Sequence, residues 1–321
     1  MPVRVVNHYK APAYFFKNPH LQTVIPSFFR KVKGINYQRE RIETPDGDFL
    51  DLDWVKQNSS KLLIVTHGLE GSSERHYVKG LIKVMYHAGW DGLAWNCRSC
   101  SGELNRLPRF YHHGDTPDLD RVVQHAISKD YKQILLAGFS LGGSITLKYL
   151  GERGEQVAPE IKKGLAVSVP CDLASCSEEL SKPDKIFYTN KFLRRLEQKI
   201  KLKSQLMPEH IRYEDFKKVK VFKDFDDLFT APLHGFRDAE DYYNSASSKK
   251  FLDGIRIPTL LINALNDPFL TEACFPQQQA ERNPYLYLEM TTQGGHVGFQ
   301  LPGTNETYVE RRAVEWVRDL L

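Results

Sequence analysis

Long hydrophobic runs are missing from this chain. No segment approaches the ~20 consecutive apolar residues a membrane-crossing helix needs, so no transmembrane anchor is expected. The first ten residues, MPVRVVNHYK, lack the apolar core of a secretory signal peptide. Cysteine is scarce, with five in 321 residues, at positions 97, 100, 171, 176 and 274. That is too few, in settings too apolar, for a disulfide framework. Cys97 and Cys100 have C-x-x-C spacing, but no second Cys/His pair stands at zinc-finger distance. They read as small buried side chains at a strand end, not as a metal or redox site. An excess of one charge is also missing, since the formal charge is only +4. A nucleic-acid-binding protein would concentrate a basic face, so no nucleic-acid partner is expected. There is no internal repeat and no low-complexity tract. A cytoplasmic protein with reduced thiols is the resulting expectation.

What is present is ordinary globular composition, 41% hydrophobic and 26% charged, enough for one large α/β domain with or without an insertion. Residues 1–35 are rich in Pro and aromatics and read as irregular. Two strands are expected near 38–44 and 49–56, joined by the turn Pro45-Asp46-Gly47-Asp48. The pattern then changes to short continuous apolar runs at 62–65, 92–95, 133–139, 164–169 and 258–264. Such runs are buried on both faces, as in a parallel sheet. Helical stretches lie between them near 76–88, 117–129 and 141–152, with Thr116 as a cap before Pro117. Strands alternating with helices predict a mostly parallel sheet covered on both sides.

One segment interrupts the alternation. Residues 173–250 are rich in Lys, Asp, Glu, Phe and Tyr. They stand between two strands, at the strand ends where an α/β protein keeps its active site. The expected division is a core of 1–172 and 251–321 with a cap or lid of 173–250. The Lys-rich part, Lys191 to Lys203, reads as a solvated cap face, with a membrane-surface helix as the rival. The segment's many aromatics, Phe225 and Phe229 among them, are too apolar for a purely solvated insertion. Some are expected to pack on the core and some to line a pocket.

Gly138-Phe139-Ser140-Leu141-Gly142 carries the chemistry. It follows an apolar strand and precedes a helix, the setting a G-x-S-x-G nucleophile elbow requires. The turn is so tight that its flanking positions must lack bulk. Serine is a poor nucleophile until an imidazole takes its proton and a carboxylate holds that imidazole. Both follow in the order Ser, acid, His. Asp267 stands just past the run Thr259 to Ile262, and His296 past the apolar stretch Tyr285 to Met290. His112 and His113 lie before a helix, His87 lies within one, and His67 precedes the serine. Asp253 and Asp241 are rival acids, and neither directly follows a strand. The oxyanion of a tetrahedral intermediate needs two backbone N–H groups. Leu141, after the nucleophile, supplies one, and Leu69 in His67-Gly68-Leu69 supplies the other.

These motifs together resemble the YheT-type α/β-hydrolases. The resemblance rests on His67-Gly68-Leu69-Glu70-Gly71-Ser72, Arg98 to Glu103, Gly138 to Gly143, Asp267-Pro268-Phe269 and Gly295 to Phe299. It also takes in Asn18-Pro19-His20-Leu21-Gln22-Thr23 and Tyr111 to Asp115, and runs from about residue 15 to the C-terminus. It implies an α/β-hydrolase fold, carboxylesterase activity, and lipid-like esters among the substrates of eukaryotic relatives. The triad carries over to Ser140, Asp267 and His296. Two departures stand out. Ser99 replaces the family's usual Gly, which strains the loop if that position needs positive φ. Asn266 stands where a second Asp is frequent, which leaves Asp267 the clearer acid. The expected function is hydrolysis of a small-molecule carboxylic ester through an acyl-enzyme, without metal or organic cofactor. An acyltransferase with the same triad and a non-catalytic binding protein of this fold are the rivals. Peripheral membrane contact through the cap is a further expectation, and the sequence leaves oligomeric state open.

Overall fold

Apolar runs without a polar face must be covered on both sides, and five of them form the centre of a nine-stranded sheet. The protein is described from a computed structural model covering residues 2–6, 8–15 and 17–320. Its strands are β1 (Val3–Val6), β2 (Gln38–Glu43), β3 (Phe49–Val55), β4 (Lys61–Thr66), β5 (Asp91–Asn96), β6 (Gln133–Phe139), β7 (Ile161–Val167), β8 (Thr259–Ala264) and β9 (Leu286–Thr291). Their spatial order is β1-β9-β8-β7-β6-β4-β5-β3-β2. β3 runs antiparallel to both β2 and β5, and every other neighbouring pair is parallel. This is the α/β-hydrolase architecture.

Alternate residues of the central strands serve two separate cores. Leu62 and Ile64 of β4 join one cluster, Leu63 and Val65 the other. The helices are α1 (Pro19–Phe29), α2 (His76–His87), α3 (Thr116–Ser128), α4 (Leu141–Arg153), α5 (Leu173–Leu180), α6 (Ile186–Leu206), α7 (Ala239–Ala246) and α8 (Tyr308–Trp316), with shorter helical turns between. Helices α3 and α4 cover the first face through Leu119, Val122, Ile145 and Leu147. Helices α2 and α8 cover the other through Leu81, Ile82, Val309 and Ala313. No helix among the described residues is long and apolar enough to cross a membrane.

Three expectations need correction. Residues 1–35 are not irregular throughout, because β1 extends the sheet beside β9 and α1 is a helix. The Asn18 side chain caps α1 by accepting from the His20 and Leu21 amides, and Pro19 follows at a position that tolerates proline. Thr116 is not the cap of α3 but its first residue, with Asp115 in the cap position. The Thr116 hydroxyl donates instead to Glu152, 2.7 Å away.

The Lys-rich run is also not a uniform solvated face. Lys191, Arg194 and Lys201 of α6 are exposed. Lys203 is fully buried, with its ammonium over the Phe110 ring and donating to the carbonyls of Leu107, Pro108 and Arg109. Lys199 turns inward to Glu70 at 2.7 Å. The helix is amphipathic in an unusual sense, with lysines on both sides.

Candidate active site

The sharp turn between β6 and α4 exposes Ser140 at the C-terminal edge of the sheet. Ser140 has φ 53° and ψ −117°, a strained conformation for a residue with a side chain. The flanking glycines make the turn possible. A Cβ on Gly138 would lie 2.1 Å from the Gly142 carbonyl oxygen, and one on Gly142 would lie 2.3 Å from that of Thr66. Any larger residue at either position would push the elbow apart.

The loops after β8 and β9 bring Asp267 and His296 to the same edge. His296 Nε2 lies 3.0 Å from Ser140 Oγ. Its Nδ1 lies 2.9 Å from Asp267 Oδ2 and 3.2 Å from Oδ1. Asp267 is fully buried at its side chain and also accepts from the Phe269 amide at 2.9 Å. The Phe269 ring stacks on the imidazole with centroids 4.0 Å apart. An imidazole bonded to a carboxylate through Nδ1 carries its proton there and presents a lone pair at Nε2, ready to take the serine proton. The rival carboxylates lie elsewhere. Asp253 is paired with Arg282 in a surface ion pair at 2.6 Å, and Asp241, in the first turn of α7, accepts from the Arg237 amide at 3.0 Å.

His67 belongs to the scaffold. Its Nδ1 donates to the Gly68 carbonyl at 2.8 Å, and its Nε2 accepts from the Cys97 amide at 3.1 Å. Burial lowers its pKa to about 4, so it stays neutral while it shapes the loop holding Leu69. The amides beside Leu69 are engaged: Gly68 donates to the Tyr77 hydroxyl and Glu70 to the Tyr111 hydroxyl. Leu69 lies beside Ser140 in the same cavity wall, and no acceptor for its amide is found among the described residues. Leu141 opens α4, where an N–H has no acceptor within the helix. Glu70 itself holds φ 52°, and four side chains fix it there. Arg75 and Arg195 donate to its carbonyl at 2.7 and 3.1 Å, while Lys199 and Tyr111 donate to its carboxylate at 2.7 and 2.8 Å.

The sequence did not disclose what holds the histidine loop. The His296 amide donates to Thr23 Oγ1 at 2.9 Å, and that hydroxyl donates to the Pro19 carbonyl at 2.7 Å. Gln22 Oε1 accepts from the Gly294 amide at 2.8 Å and from Asn266 Nδ2 at 3.0 Å. Asn266 Oδ1 in turn accepts from the Gly295 amide at 3.1 Å. Asn266 therefore does more than remove a rival carboxylate, because it ties the loop of the acid to the loop of the base. Val297 follows at φ 59°, a genuine outlier for a β-branched residue, with its amide on Ser168 Oγ at 3.0 Å. The quoted Asn18 to Thr23 motif was the available signal, but its partners lie more than 240 residues away.

The cavity in front of Ser140 is walled mainly by Phe192, Leu196, Phe222, Phe225, Phe229 and Phe269. At the neighbouring turn, Ser99 has φ 61°, so the departure from Gly does fall on a left-handed position. Its hydroxyl donates to Asn105 Oδ1 at 2.6 Å and accepts from the Asn105 amide at 3.1 Å, which holds the conformation.

No family model matches the chain. The protein named "Putative esterase YheT" from Escherichia coli (strain K12) is 34% identical over 326 residues, spanning 97% of this chain and 93% of that protein. The chain belongs to the YheT-type α/β-hydrolase family. Phospholipase ABHD3 of Mus musculus is 32% identical over 87% of this chain and 70% of its own length. Among solved structures, the Pyrococcus furiosus esterase PF2001 superposes with a TM-score of 0.60 at 19% identity, over 90% of this chain and 96% of that one. That likeness concerns the fold. Family membership places the chain among esterase- and lipase-type hydrolases.

Proposed function

We propose that this protein hydrolyses carboxylic esters of medium-length acyl chains through an acyl-enzyme on Ser140. The observation that carries the reading is the continuous hydrogen-bonded line Ser140–His296–Asp267 opening onto an aromatic cavity. Ser140 Oγ attacks the ester carbonyl as His296 Nε2 takes its proton. The amides of Leu69 and Leu141 meet the oxyanion. Asp267 holds the imidazole and stabilises its charged form. His296 then returns the proton to the leaving alcohol, and water repeats the cycle to release the acid. Removing one oxyanion donor typically costs roughly 10²–10³ in rate.

Residues 173–250 act in this reading as a cap that builds the acyl site. Phe192, Phe222, Phe225 and Phe229 support it, since all line the cavity and all come from that segment. A relative named a phospholipase supports a lipid-like ester. Contact with a lipid surface accompanies the proposal. Phe28 and Phe29, 61% and 75% exposed, end α1, Phe187 of α6 is 47% exposed, and Lys191 lies over the Phe28 ring. Apolar side chains mixed with cations suit an anionic interface.

Steady-state kinetics on p-nitrophenyl esters from acetyl to dodecanoyl test the reading. Each buried methylene contributes up to ~0.8 kcal/mol, or about fourfold in kcat/KM, until the pocket is full. A rise through the medium chains followed by a plateau or fall is expected. A flat or falling profile from acetyl to octanoyl would show that the cap builds no acyl site.

A further inference from the structure

The reaction at Ser140 leaves one group of cavity residues without a task. Asp226, Thr230 and His234 stand four residues apart along a π-helical turn, Asp226–Thr230, and the short helix Ala231–His234 that continues it. Single π turns inside helical segments occur frequently at functional sites. All three residues line the cavity that contains Ser140 and His296. They form a polar stripe in a wall that is mostly aromatic and aliphatic, apart from Glu70, His112, His113, Ser177 and Lys199.

The stripe's internal bonds fix which atoms remain available. Thr230 Oγ1 donates to Asp226 Oδ1 at 2.6 Å, and the Tyr243 hydroxyl donates to Asp226 Oδ2 at 2.7 Å. His234 Nδ1 lies 2.7 Å from the Thr230 carbonyl, so the proton sits on Nδ1 and Nε2 keeps a lone pair. That Nε2 is buried and has no hydrogen-bond partner among the described residues. His112 faces it edge-on, with ring centroids 4.8 Å apart. His112 Nδ1 accepts from the Gly114 amide at 3.1 Å, which puts its proton on Nε2. Burial keeps both rings neutral, His234 down to about 4 and His112 well below its ordinary value. Two residues of the cavity wall therefore carry one N–H and one lone pair on adjacent neutral imidazoles, and the lone pair is closed off until the rings part. A hydrocarbon chain would leave that lone pair unmet, which a buried acceptor resists. A hydroxyl, which both donates and accepts, matches the pair.

We propose that this stripe is a binding site for a hydroxyl group carried on the acyl chain, donating to His234 Nε2 and accepting from His112 Nε2–H. The preferred substrates are then hydroxyacyl esters rather than plain acyl esters of the same length. The proposal rests on the reading of Ser140 as the acylated nucleophile and of the aromatic cavity as the acyl site.

The test compares kcat/KM for p-nitrophenyl decanoate with that for its positional hydroxydecanoate isomers. The plain ester, together with fluorophosphonate labelling of Ser140, reports on the nucleophile. The ratio of hydroxylated to plain ester reports on the stripe, so the two readings fail separately. In the wild-type protein at least one isomer should exceed the plain ester by on the order of tenfold. His234→Phe should bring that ratio to one or below, and His234→Leu should do the same if the phenylalanine variant does not fold. A wild-type ratio at or below one for every isomer overturns the proposal without recourse to any variant. A water molecule resident between the two rings would give that result. A preference that survives both substitutions overturns it as well.

Discussion

Replacing Thr23 by valine tests whether α1 holds the candidate base in place. The substitution keeps the shape of the side chain and removes one hydroxyl. Thr23 is 9% exposed, and its Oγ1 accepts from the His296 amide at 2.9 Å. Valine leaves that amide without a partner. A buried donor stripped of its acceptor costs about 1–3 kcal/mol. The loop escapes the penalty by moving, and His296 moves with it. If all of that cost appears as displacement of the imidazole from Ser140, kcat/KM falls by about 5- to 150-fold. The loss should fall on kcat, because Thr23 is not among the residues lining the cavity. Thr23→Ser keeps the acceptor and should restore most of the activity. The assay is steady-state hydrolysis of p-nitrophenyl butyrate, with thermal melts to confirm folding. A valine variant within twofold of wild type would refute the reasoning, and so would a serine variant as impaired as the valine one.

Lys199→Met should lower the urea midpoint and slow turnover, because it strands the Glu70 carboxylate, whose side chain is only 4% exposed. Breaking a buried pair from one side costs about 3–5 kcal/mol, and adding Glu70→Gln should recover much of it; a double variant no more stable than the single one would contradict the pairing. Acidification from about pH 6.5 towards 4 should also destabilise the fold. Burial lowers the pKa values of His67, His76, His112, His113 and His234, so the folded chain binds fewer protons there than the unfolded chain. Each such group contributes up to ~1.4 kcal/mol per pH unit. Asp115 and Asp226, raised to about 7 by burial, oppose the trend with the opposite sign but are fewer. Urea midpoints that do not fall between pH 7 and 5 would show that these histidines are not held neutral.

Much of the sheet was legible because its strands are uniformly apolar. The runs at β4 through β8 have no polar face, and that pattern has one solution in a parallel sheet. Ser140, Asp267 and His296 were legible as candidates because each follows such a run in the order the chemistry requires. Helix α1 was obscured by Pro26 in its interior and by the aromatic content around it. Other features depend on contacts between distant segments. Nothing in the sequence distinguishes Lys203, buried against three carbonyls, from Lys201, which is exposed. Gln22 and Thr23 acquire meaning only when the chain brings them to the loop of His296. Asp226 and His234 belong to a segment that reads from sequence only as part of a cap rich in charged and aromatic residues, and only the fold brings them to the cavity wall.

The most direct measurement is the site of covalent modification. Wild-type protein and Ser140→Ala should be treated with a fluorophosphonate and digested, and the modified peptide sequenced by mass spectrometry. The account predicts a single adduct on Ser140 in the wild-type protein, none in the alanine variant, and loss of ester hydrolysis with an unchanged melting curve. An adduct on another residue, or labelling and hydrolysis that persist in Ser140→Ala, would contradict it.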